Sequence, residues 1–248
     1  MSPDNALAEL RASTRTEHDR IEQILRLDQP MPLQRYAAIV AGFDAFLRAW
    51  EPRIHAALPE RLQAWYRPRR RGGFASADAD WLREVAGLPV ARQAAPAVDA
   101  LSLDTLAEVL GSLYVIEGSA LGGRVIAPRL KRSLGLDQGR GASYFHGFGG
   151  EAGAMWNNFR LQAALEIGDA PPAIALACAS ARRTFAALTR QFVNLAVDGP
   201  EDDDATRPAP LADIHIDLPA DGEPTRDDTL IELPLGDGDG GDTLRMPL

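Results

Sequence analysis

Apolar residues return every three or four positions along most of this chain, the spacing of helices that bury one face. Leu7, Leu10, Thr14, His18, Ile21 and Leu25 mark a first helix. Pro32 opens a second, with Leu33, Tyr36, Val40, Phe43, Leu47, Trp50 and Ile54 along one stripe. The basic stretch from Trp65 to Gly73 reads as a loop, and a short helix over Asp80 to Val85 breaks around Gly87 and Pro89. Thr105 followed by Glu108 is a capping box, and it opens a long helix within Asp104 to Leu134. A glycine-rich connection, Gly135 to Gly150, leads to a helix from Glu151 to Ile167 that carries Met155, Trp156 and Phe159. Pro171 starts a last long helix that ends near Val197. No convincing strand alternation precedes residue 200, so the expected fold class is all-α.

Beyond that point the pattern stops. Residues 199–248 are rich in Asp, Gly and Pro, which predicts disorder, with two short alternating pieces at Ile214–Leu218 and Leu230–Leu235. The expected division is therefore a helical domain over 1–198 and an acidic tail over 199–248. Charge agrees with it. The chain carries a net −9, but the tail alone has 14 acidic and 3 basic residues, a net of −11. The first 198 residues hold 21 acidic and 23 basic ones, a net of +2. Scattered arginines beside an acidic tail give no footprint for nucleic acid. The basic run of Arg67, Arg69, Arg70 and Arg71 offers that tail a partner. A single cysteine, Cys178, leaves no disulfide framework and no cysteine-based zinc site. The first residues lack the basic start and apolar run of a signal peptide, and no stretch reaches the ~18 apolar residues of a membrane span. A cytoplasmic protein without a membrane partner is the expectation.

Four glycines in the long central helix change the picture from fold to chemistry. Gly111, Gly118, Gly122 and Gly123 each cost about 0.5–1 kcal/mol relative to alanine inside a helix. Gly118 and Gly122 stack on one face and Gly123 widens the strip. Bare backbone serves either close helix packing through small residues or a flat ligand lying against it. His18 raises the same choice. It sits on the apolar stripe of the first helix, where a histidine is either a satisfied core residue or a ligand. Glu22, four residues on, is within reach of the ring and would fix its tautomer. A planar, metal-bearing ligand held by His18 and facing the glycines suits both features, and heme is such a ligand. Its anionic propionates would need basic partners, which Arg11 and Arg15 supply on neighbouring faces.

The run LRASTRTEHDRIE, Leu10 to Glu22, resembles the proximal-helix motif of heme oxygenases. LYVIEGSALGGRVI, Leu113 to Ile126, resembles their distal helix, above all in bacterial members associated with phytochromes. YFHGFGGEAGAMWNNF, Tyr144 to Phe159, is similar to the segment that follows. The resemblance runs over about residues 7 to 195. It implies a single helical domain with heme sandwiched between a proximal and a kinked distal helix. It implies His18 as the axial iron ligand, with Arg11, Arg15 and Glu22 also on the heme-binding helix. It implies Gly118, Gly122 and Gly123 as the distal surface over the heme. Ser119 stands where many members carry an aspartate that organises water for proton delivery; phytochrome-associated members also lack that aspartate. The implied activity is oxidative cleavage of heme to biliverdin, carbon monoxide and ferrous iron. Its partners would be heme, molecular oxygen, an electron donor such as a ferredoxin or flavin reductase, and a bacteriophytochrome that receives the biliverdin.

Two other functions fit parts of the pattern. Ser119 and the tail suit a heme carrier or sensor that does not turn over. A non-heme di-iron oxidase needs several histidine and carboxylate ligands from different helices. Outside the tail this chain has only His18, His55 and His146, and no ExxH pair.

Overall fold

The computed structural model describes residues 5–88 and 93–193. By its internal contacts the chain divides into one unit, Met1–Pro210, and a second, Leu211–Leu248. Every described residue belongs to the first. The tail expected over 199–248, its alternating pieces and His215 lie outside the described residues.

The described residues are helical, as the apolar spacing predicts: α1 (Asn5–Leu25), α2 (Leu33–Ala57), α3 (Glu60–Tyr66), α4 (Gly72–Glu84), α5 (Leu106–Leu134), α6 (Ser143–His146), α7 (Ala152–Ile167) and α8 (Pro171–Phe192). The basic stretch is a correction to the sequence reading. In place of a loop, α3 runs to Tyr66, a 3₁₀ turn covers Arg67–Arg69, and α4 begins at Gly72. The stop comes from burial: Arg69 and Arg71 point inward, which a solvated basic loop would not do. A carboxylate also organises the start of α4. Glu51 Oε1 accepts hydrogen bonds from the N–H groups of Arg71 and Gly72, both at 2.7 Å, filling the role of a cap from another helix.

The ends of α5 follow local rules. Thr105 and Glu108 form the reciprocal capping box at its start. Gly135 closes it in the left-handed conformation, φ 68°, which glycine adopts without a side-chain penalty. By length and composition α5 is the one described helix able to cross a membrane, but most of its apolar window is buried inside the protein. It is the central core helix.

Helix α8 packs along α5 and along α1, while α5 also meets α6 and α7, and α2 meets α4. Helices α1 and α5 touch α8 far more than each other, so α8 is a floor beneath two walls. The floor is stitched to the core by polar groups. Trp50 Nε1 donates to Ser112 Oγ at 2.8 Å, Ser112 and Thr184 hydroxyls lie 2.8 Å apart, and Thr184 donates to the Ser180 carbonyl at 2.9 Å. These bonds tie α2, α5 and α8 together through buried donors that would otherwise be unsatisfied.

Candidate heme site

Two contacts set how the walls run. Thr14 of α1 hydrogen-bonds Tyr114 of α5, and Arg129 Nη1 donates to the Asp28 carbonyl at 3.0 Å. Sequence numbers rise together along both, so α1 and α5 run in the same direction. His18 is one turn past Thr14 on α1, and Gly118 is one turn past Tyr114 on α5. Glu22 and Gly122 follow in the next turn.

His18 is no core residue: its side chain is 44% exposed, although its stripe-mates Leu10, Thr14, Ile21 and Leu25 are buried. The ring meets Phe185 of α8 edge-on, with centroids 6.1 Å apart. Nδ1 faces Glu22 Oε2 at 3.6 Å and Asp19 Oδ1 at 4.0 Å. Both carboxylates lie on the Nδ1 side of the ring, so Nε2 is the nitrogen turned away from them. Arg11 is half-buried and acts electrostatically on Tyr114, as does Arg160 of α7. Arg15 is exposed on α1. A basic rim thus surrounds Tyr114, and Arg160 is a member of it that the sequence did not single out.

The four glycines divide into two kinds. A methyl group on Gly111 would run into the Ala177 carbonyl, and one on Gly123 into the Phe145 carbonyl. These two are bare because another backbone lies against them. A methyl on Gly118 would meet only the Trp156 ring edge, at 3.9 Å, and one on Gly122 only Ile126 Cδ1, at 3.6 Å. Both are ordinary contacts. Packing within the described residues thus accounts for Gly111 and Gly123 and leaves Gly118 and Gly122 unexplained. Gly123 faces α6 and does not share their surface.

Ser119, the residue after Gly118 on α5, meets Arg71 at the start of α4. Its hydroxyl accepts a hydrogen bond from Arg71 Nη2 at 2.6 Å and donates to the Ile116 carbonyl at 2.8 Å. Next to it, buried Glu117 accepts from Arg69 Nη1 at 2.9 Å. Burial pushes the Glu117 carboxyl up to about 6, against the pull of Arg69 and Arg71. Arg69 also stacks over Trp65, at 4.4 Å. Arg69 and Arg71, expected on the surface as partners for the tail, are thus buried and engaged. Arg71, Glu117 and Tyr144 were invisible as a group in the sequence because three separate elements bring them together.

The residues present fit a heme. A half-exposed histidine stands on α1, two glycines of α5 lack a packing reason, and Arg11 and Arg160 act on Tyr114 of α5. The buried Trp156 Nε1 at the same wall also has no hydrogen-bond partner.

The heme oxygenase family profile matches residues 4–194. The chain belongs to the heme oxygenase family. A fold comparison agrees: the NO- and CO-bound heme oxygenase from Neisseria meningitidis superposes with a TM-score of 0.58 at 23% identity, over 79% of this chain and 97% of that one. No curated protein sequence matches this chain. Like other heme oxygenases it is all-α, with a proximal and a distal helix, here α1 and α5. Among the described residues the one histidine–carboxylate cluster is His18, Asp19 and Glu22, all on α1. A di-iron centre needs ligands from several helices, so the cluster does not provide one.

Proposed function

We propose that this heme oxygenase family member cleaves heme to biliverdin, carbon monoxide and ferrous iron, using oxygen and an external electron donor. The reading is supported by the half-exposed His18 on α1 and by Gly118 and Gly122 on α5, which no packing requires, inside a family match that spans the helical unit. When bound, heme supplies the redox chemistry and is itself the substrate that is oxidised.

The protein's part is placement. His18 Nε2 would hold the iron, with Glu22 beside Nδ1 to orient the imidazole. Gly118 and Gly122, without side chains, would leave room for oxygen on the other face of the group. Arg11, Arg15 and Arg160 meet the propionates. A ferredoxin or flavin reductase is the fitting donor. The Leu113–Ile126 motif supports a phytochrome-associated role, in which biliverdin passes to a bacteriophytochrome, in a bacterial cytoplasm.

Hemin titration followed by reductant under oxygen tests the reading. Wild-type protein should give a Soret band that decays as biliverdin rises. His18→Ala should lose that ligation and ordinary turnover, with added imidazole restoring part of the low-spin spectrum. An oxygenated complex that never yields biliverdin would make the protein a heme carrier. A His18→Ala spectrum and rate equal to wild type would move the ligand elsewhere.

A further inference from the structure

The buried guanidinium of Arg71 has no role in the placement described above. The residue is 3% exposed, and an interior cation is costly unless its hydrogen bonds are well made. Its backbone N–H is held by Glu51, and its guanidinium lies over the Tyr144 ring, 4.9 Å from the centroid. Tyr144 is in turn fixed by Asp78, whose carboxylate accepts the N–H groups of Ser143 and Tyr144 at 2.8 and 2.7 Å.

Two bonds leave Arg71 Nη2, one to Ser119 Oγ at 2.6 Å and one to the Ile116 carbonyl at 2.5 Å. Ser119 donates its own proton to the same carbonyl. The redundancy matters. A serine hydroxyl rotates freely, and its cost of leaving a partner is the orphaned acceptor. Here the Ile116 carbonyl keeps Arg71 when the hydroxyl swings away, so the swing orphans nothing. A hydroxyl that accepts from a guanidinium is also a stronger donor, because the chain of bonds is polarised. The buried Tyr144 hydroxyl sits beside Ser119.

We infer that Arg71 is the positioning residue of the distal side: it holds Ser119 Oγ next to Gly118 and frees that hydroxyl to donate to a ligand bound over that glycine. In this way a serine serves at a position where many family members use an aspartate. The inference rests on the proposed heme reaction.

The test compares wild type, Ser119→Ala, Ser119→Thr, Arg71→Lys and the double variant Arg71→Lys/Ser119→Ala, each loaded with hemin. Three readouts are taken: hemin affinity, the pH midpoint of the acid–alkaline transition of the ferric complex, and biliverdin formation. Ser119→Ala and Arg71→Lys should bind hemin within about twofold of wild type. Both should shift the midpoint in the same direction and lower biliverdin formation about tenfold or more. Ser119→Thr, which keeps the hydroxyl, should restore midpoint and rate, and the double variant should be no worse than the worse single one. If Arg71→Lys does not fold, the alanine and threonine variants decide alone, since Ser119 is exposed. A wild-type midpoint and rate in Ser119→Ala, or additive losses in the double variant, would overturn the inference. A wild type that binds hemin but makes no biliverdin sinks the proposed reaction instead, and the midpoints still report on the Arg71–Ser119 pair. A wild type that takes up no hemin sinks both.

Discussion

Glycine at four positions of one helix looks uniform in sequence, yet each position answers to a different neighbour. Gly111→Ala and Gly123→Ala should each lower stability by about 1–3 kcal/mol, the range for overpacking a filled site, because a backbone carbonyl stands in the way. Gly118→Ala has room. In the heme-free protein it should be neutral or gain up to about 1 kcal/mol from helix propensity. Its effect should fall on biliverdin formation. Thermal melts of the heme-free variants beside turnover of the loaded ones check this; a Gly118→Ala protein that melts early would return that glycine to packing. The sequence could not sort these glycines, since the sorting atoms belong to Ala177 and Phe145, far along the chain. Glu117 carries a second residue-scale prediction. Its folded carboxyl titrates near 6, above its ordinary 4.5, so the folded state takes up the proton first. Wild-type stability relative to Glu117→Gln should therefore fall as pH rises from about 4.5 to 6, by about 2 kcal/mol, and level off above. Denaturant melts of both proteins across that window read it. A difference that rises with pH would mean the two arginines outweigh burial.

Whole elements were far more legible than contacts between them. The capping box at Thr105, the proline at the start of α8 and the stripes of α1 and α2 rest on spacing alone, and they stand in the structure where spacing puts them. The stretch before α4 failed because its helix start depends on Glu51, a carboxylate on another helix. The same rule shows which caps can be tested simply. Thr105→Ala should remove about 1 kcal/mol, read by chemical denaturation, and should leave hemin affinity alone because the cap lies three turns before Gly118. A loss of affinity as large as the loss of stability would mean that the start of α5 is coupled to the cleft.

At the scale of the molecule, the candidate site was half legible. His18 and Glu22 share one helix, so a four-residue spacing announced them. The opposite wall was announced by glycine, but Arg71 and Tyr144 behind it needed the fold. All of them precede the end of the family match at residue 194. A chain ending at 198, which loses the tail's net −11, should accordingly keep hemin affinity within about twofold, as a titration would show; a folded chain that no longer binds hemin would move the boundary. Ending the chain before Pro171 is a different experiment, because α8 lies under both walls. Synthesis makes α1 first and α5 midway, yet neither has its seat until the last helix of the bundle is complete. A growing chain on the ribosome thus carries His18 from the start, without the cleft that would make it a trap for heme. On the proposed reading, heme binding waits until Pro171–Phe192 has been made.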